Sequence, residues 1–185
     1  MNNSIAEIFY GILFTPSETF KNFSYEKPYK LPVLLVMLAA VFLLLLGNDN
    51  FTLMTIFVWI AKTIGLITYW LFFAFFVDLM ARMFNLSGNF AKLLTLTSLA
   101  FVPWIFLAPL KLLKNAHPAL SEIAIVLLLG VWLWTVILQI LAISETYDIP
   151  RKNAIIILLL PFFGWILYSI WMVDFFVKLF QFSSL

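Results

Sequence analysis

Asp78 and Arg82 close an apolar run, four residues apart with the acid first. On a helix that spacing places both on one face, in the favourable order for an ion pair. Glu145 and Asp148 close a later apolar run, and Arg151 and Lys152 open the one after it. Charges of alternating sign at the ends of apolar runs can orient helices at a membrane surface. They can also dock a soluble partner or an anionic headgroup, and the alternation of sign argues against plain attraction to lipid as the whole account. Neither task is catalysis. The single histidine, His117, stands beside Pro118, cysteine is absent, and Gly88 is alone in its turn. Nucleophilic triads, thiolate chemistry, zinc clusters and glycine-rich phosphate loops therefore have no residues to build them. The chain reads as non-enzymatic, without cofactor or metal.

A second set of residues could hold an apolar ligand. Counted from the ends of the apolar runs, Trp70, Trp104, Trp132, Trp134 and Trp165 fall near mid-depth, with Tyr69 beside them. Membrane tryptophans ordinarily gather at the two interfaces. A mid-depth layer is either tight packing, with indole N–H groups bonded to Thr68, Thr135 or carbonyls freed near Pro103, or the wall of a groove that admits a lipid chain. Gln139, about two turns from the end of its run, needs a partner in an apolar setting; an interhelical hydrogen bond is the plainer expectation and a ligand contact the sharper one.

The elements that must carry these residues follow from hydropathy. Of 185 residues, 64% are hydrophobic and 11% charged, with a mean hydropathy of +1.07. A soluble domain of this length could not hide so much apolar surface, so the bilayer is the solvent. A net charge of +2 is too small to point to nucleic acid. Polar markers delimit five apolar runs, Leu31–Gly47, Thr63–Ala81, Leu93–Leu110, Ile123–Ser144 and Asn153–Val173. Each is close to the roughly 20 residues that cross a bilayer as a helix. The expected fold is all-α, a polytopic five-helix transmembrane bundle with helices over about 31–47, 53–81, 93–113, 120–145 and 152–177. Lys62 belongs at a surface, because a lysine at mid-bilayer costs about 2.5–3.5 kcal/mol. The second helix then runs past the membrane, with Phe51–Ile60 as a collar.

Residues 1–30 form a separate amphipathic region. Ile5, Ile8, Phe9, Ile12 and Leu13 make one stripe, too short to span, which suits a helix lying on the membrane. Thr15-Pro16-Ser17-Glu18 predicts a second helix start, with Thr15 capping and Glu18 closing a capping box. No basic segment followed by a short apolar core and a small-residue cleavage site opens the chain, so a cleaved signal is not expected. With the N-terminus inside, the inner segments hold Lys21, Lys27, Lys30, Arg82, Lys92, Arg151 and Lys152, seven cations against four outside, Lys62, Lys111, Lys114 and Lys178. The positive-inside bias favours a cytoplasmic N-terminus and an external C-terminus. Pro103 and Pro109 should loosen the third span and Pro161 the fifth, while Pro118 and Pro150 mark helix starts.

Four stretches are similar to the Yip family of Ypt/Rab-interacting membrane proteins, most of all its bacterial members: PSETF at Pro16–Phe20, LSGNF at Leu86–Phe90, LTLTSLAFVPWIF at Leu94–Phe106, and VWLWTVILQILAISETYDIPRKNAIII at Val131–Ile157. The resemblance implies a five-helix Yip-type bundle and, from its bacterial flavour, an inner-membrane location. Eukaryotic relatives act in vesicle traffic through prenylated Rab-type GTPases, but their Asp-Leu-Tyr-Gly-Pro motif is absent here and about thirty residues precede the first span. The expected role is a scaffold or adaptor whose partners are membrane lipids and a membrane or cytosolic protein, with a second copy of the chain as a further candidate. A small transporter or lipid-handling protein is the alternative.

Overall fold

The computed structural model describes residues 5–23, 30–45, 53–160 and 163. Helix α1 spans Ile5–Phe14, α2 Pro16–Asn22, α3 Lys30–Leu45, α4 Leu53–Met83, α5 Phe90–Leu99, α6 Leu107–Ala116 and α7 Pro118–Tyr147, and residues 151–160 begin α8. Among the described residues there is no strand.

Among the described residues, three helical stretches are long and apolar enough to cross a membrane: Ile56–Met83, Phe90–Ala116 and Leu120–Tyr147. These define a polytopic all-α membrane protein. Helix α3 has 16 described residues at the first expected span, and α8 is described for the first part of the fifth. Pro161, Gly164 and Trp165 of that span lie outside the described residues or their described side chains. Helix α4 runs unbroken for 31 residues, about 46 Å at 1.5 Å per residue, which exceeds a ~30 Å hydrocarbon layer. Lys62 is exposed on its flank.

The third expected span is two helices joined by a break. Helix α5 ends at Leu99, a 3-10 turn covers Val102–Phe106, and α6 resumes at Leu107. Pro103 sits in the first positions of that turn, where its missing N–H costs no helical bond. This broken stretch is the most buried of the three, at 61% against 33% for α4 and 22% for α7. It is the core element, with α3, α4 and α7 packed around it. Its buried hydroxyls are satisfied within the helix. Thr95 donates to the Ala91 carbonyl at 2.8 Å, Thr97 to Leu93 at 2.8 Å and Ser98 to Thr95 at 2.7 Å. Short side chains that bond their own backbone let neighbouring helices approach closely without leaving polar groups unpaired.

The N-terminal stripe meets protein, which corrects the expectation of an apolar face laid against lipid. Ile12 and Phe20 are fully buried with Leu35, Leu96, Leu99 and Leu138, and Ile8, Phe9 and Leu13 pack around them. The outward face of α1 carries Tyr10 and Phe14, their rings tilted at 32° with centroids 4.7 Å apart. The capping box is not formed either. The Thr15 side chain makes no cap bond, because its hydroxyl turns back to the Gly11 carbonyl while its N–H also donates there at 2.8 Å. Thr15 thus extends α1 through its N–H, and opens α2 only through its carbonyl, which accepts the Thr19 N–H at 3.1 Å, with Pro16 in the first helical position. A methyl group on Gly11 would overlap the Thr19 hydroxyl, so glycine is what allows α1 and α2 to fold together.

Two long helices end alike. After α4, Leu86 N–H donates to the Ala81 carbonyl at 3.0 Å and Asn85 N–H to Arg82 at 2.9 Å, with Asn85 left-handed at φ 57°. After α7, Ile149 N–H donates to Ser144 at 3.1 Å, with Asp148 at φ 51°. Both are Schellman ends, and both fill the left-handed position with a side chain that tolerates it. Pro150 then starts α8 as expected, its carbonyl taking the N–H groups of Asn153 and Ala154. Asn85 and Asp148 are exposed, so substitutions there read out backbone strain. Asn85→Gly and Asp148→Gly should keep or raise the melting temperature, whereas valine at either site should cost about 1–2 kcal/mol. Intrinsic tryptophan fluorescence during heating in detergent measures both; a valine variant as stable as the parent would contradict these ends.

Candidate functional site

The expected ion pair forms. Arg82 Nε donates to Asp78 Oδ2 at 2.7 Å. The second carboxylate oxygen has a partner that local spacing does not reveal: the Tyr147 hydroxyl donates to Asp78 Oδ1 at 2.7 Å, across 69 residues of chain. Asp78 and Tyr147 are both buried, at 8% and 5% exposure. A carboxylate removed from water is costly unless it is paired and hydrogen-bonded, and here each oxygen receives a bond. The C-terminal part of α4 is thereby tied to the last residue of α7.

The turn between α4 and α5 fits into this arrangement. A methyl group on Gly88 would overlap the Tyr147 ring, so the turn passes directly against that ring and requires glycine. Asn89 then caps α5, its Oδ1 accepting from the N–H groups of Ala91 at 2.9 Å and Lys92 at 3.4 Å. Leu86, between the Schellman end and Gly88, packs on the core around Tyr147.

The remaining expected charges do not join Asp78. Arg151 Nη2 donates to Ser17 Oγ at 2.9 Å, which ties α8 to α2. Asp148 and Lys152 are exposed, and Glu145 is half-buried. The charged end of the molecule therefore has two tie points, Asp78–Tyr147 with Arg82 and Arg151–Ser17, and a set of outward charges between them. Tyr147 and Ser17 were absent from the sequence-based candidates, although each stands within a stretch that carries the family resemblance.

The described tryptophans have different surroundings. Trp70 is buried, and its Nε1 donates to Thr97 Oγ1 at 3.0 Å rather than to Thr68 or Thr135. The Thr135 hydroxyl donates instead to the carbonyl of Val131, one turn back in its own helix. Trp104 packs on the core that contains Trp70, edge-on to Phe101 at 4.9 Å, while Trp134 packs on the other core. Trp132 faces outward at 62% exposure. Counting residues along each helix fixes depth but not direction, and these side chains point different ways. Gln139 Oε1 is buried and has no hydrogen-bond partner among the described residues. Apolar grooves occur beside Phe9 and Leu35, beside Leu71 and Phe75, and beside Phe84 and Ile156, and neither Trp104 nor Trp134 lines any of these.

The class defined by these features is a polytopic helical membrane protein whose helices are tied together at one charged end by side-chain hydrogen bonds. A sequence profile of the Yip1 domain matches residues 10–173, and the chain belongs to the Yip family. No curated protein and no solved structure shows significant similarity to it.

The Asp78–Tyr147 link makes a direct prediction. Tyr147→Phe leaves a buried carboxylate oxygen without its donor and should cost about 1–3 kcal/mol. Gly88→Ala should cost about as much through overlap with the ring. Thermal unfolding should further show that Tyr147→Phe adds little in an Asp78→Ala background, since the two residues act through one bond. Full additivity would mean that the contact contributes nothing to stability.

Proposed function

We propose that this chain is a non-enzymatic membrane scaffold or adaptor of the Yip type, crossing the bilayer five times in a bacterial inner membrane, with its N-terminus in the cytoplasm and its C-terminus outside. The charged end is then cytoplasmic and is where a protein partner docks, through Arg82, Glu145, Asp148, Arg151 and Lys152, with Asp78 holding Arg82 in place.

The observation that carries this reading is the state of Arg82. Its side chain is 64% exposed while its Nε is fixed on a buried carboxylate. One edge of the guanidinium is anchored and the other faces outward, so a partner carboxylate meets a cation that is already oriented. Asp78 has both oxygens engaged, which suits a fixed acceptor better than a general base. The aromatic-groove reading, a transporter or lipid-handling path between Trp104 and Trp134, loses its support because those side chains pack on separate cores.

A photoreactive residue at exposed Ser87, in the turn that follows α4, tests this in cells. It should give a discrete protein adduct that Arg82→Ala reduces severalfold, while the same probe at Leu127 on the outward face of α7 gives none. Adducts with lipid alone, or a protein adduct unchanged by Arg82→Ala, would count against docking at this end.

A further inference from the structure

Helices α1 and α2 fold against each other as one unit. A methyl group on Gly11 would overlap the Thr19 hydroxyl, and the Thr15 N–H donates to the Gly11 carbonyl at 2.8 Å. Ile12 and Phe20 seat this unit on the bundle among Leu35, Leu99 and Leu138. Its polar tie to the charged end is the bond from Arg151 Nη2 to Ser17 Oγ at 2.9 Å. The outward face of α1 carries Tyr10 and Phe14, so α1 is apolar on two sides.

Beside a bilayer those apolar contacts hold the unit less firmly than they would in water. Lipid accommodates an isoleucine or phenylalanine as protein does, so polar bonds carry more of the docking. The bond to Ser17 is also one that a partner can take. A hydroxyl offers Arg151 a single neutral oxygen. A carboxylate offers two charged oxygens and accepts from the same guanidinium in bidentate fashion, through stronger bonds. Arg151 is exposed at the start of α8, so an acid approaching the charged end can reach it.

We propose that the Arg151–Ser17 bond is a latch on the α1–α2 unit, and that an acidic protein segment docking at the charged end opens it. A partner carboxylate takes Arg151 from Ser17, and α2 is released from α8. Arg82 and Tyr147 keep their bonds to Asp78, so the framework of α4 and α7 is unchanged. Coupling between two such equilibria is reciprocal. The closed unit therefore weakens docking by the same factor by which docking loosens the unit. The inference rests on the docking reading above and adds its regulation.

The chain has no cysteine, so spin labels can be placed singly. Labels on Phe14→Cys of α1 and Leu133→Cys of α7, both exposed sites, report the distance between the unit and the bundle by electron paramagnetic resonance. Ser17→Ala should add a second, longer distance to the one seen in the parent, whereas Ser17→Thr, which keeps a hydroxyl, should not. In cells, Ser17→Ala should raise the protein adduct from the photoreactive residue at Ser87 about fivefold, the size expected for one side-chain hydrogen bond. Arg151→Ala should open the unit equally but lower the adduct, because the cation itself is gone. An unchanged distance in Ser17→Ala, or an adduct that Ser17→Ala leaves level or lowers, would overturn the proposal. Absence of a protein adduct in every variant would defeat docking itself and this regulation with it. That failure is told apart by distances that still respond to Ser17→Ala.

Discussion

A buried carboxylate holds the charged end of this protein together. Asp78 lies within an apolar helix, where an unpaired charge would cost several kcal/mol. It is tolerated because Arg82 and Tyr147 each give it a hydrogen bond. The arrangement constrains everything near it. For Tyr147 to reach Asp78, α7 must end beside the C-terminal part of α4. For the chain to turn after α4 without striking the tyrosine ring, residue 88 must lack a side chain. For the chain to leave α7 without lifting Tyr147, Asp148 must take a left-handed conformation, and it does. One bond thus accounts for the residue types at several positions in two separate stretches.

The core is organised by a different rule. In lipid the hydrophobic effect does not drive helices together, so close packing and hydrogen bonding must do so. Helix α5 supplies both. Its Thr95, Thr97 and Ser98 are almost wholly buried and bond their own carbonyls, and Thr97 also accepts from Trp70 of α4. The break at Val102–Phe106 follows at once and turns Trp104 onto the same core. A continuous helix would have sent the residues after Leu99 in another direction. Pro103 is the residue that commits the chain to the turn.

What could be read from the sequence divides along physical lines. Features set by neighbours within one or two turns were legible: the helical class, the Asp78–Arg82 pair, the turn around Gly88, the helix starts at Pro118 and Pro150, and a proline-loosened third span. Features set by contact across the chain were not. Tyr147 resembles any aromatic residue at the end of a span until its partner 69 residues away is known. The stripe of α1 reads as a lipid-facing surface because, in a membrane protein, a face against lipid and a face against protein are equally apolar. The surroundings of each tryptophan were hidden for a related reason. Position along a helix gives depth, but the direction of each indole depends on which neighbour it packs against, and Trp70, Trp104, Trp132 and Trp134 have different neighbours.

The stretches that carry the family resemblance take on meaning in pairs. PSETF provides Ser17, which receives Arg151 from DIPRKN. LSGNF provides Gly88, which lies against Tyr147 from SETYD. Two of the loose motifs thus each meet the stretch from Val131 to Ile157, and both contacts lie at the same end. Residues used in this way fix the geometry of a surface without being consumed by it. Helices α2, α4, α7 and α8 are held in register there, while the outer edge of Arg82 and the side chains of Asp148 and Lys152 remain turned outward. A surface whose framework is set in advance loses little conformational freedom when something binds to it, and that is the property an adaptor requires.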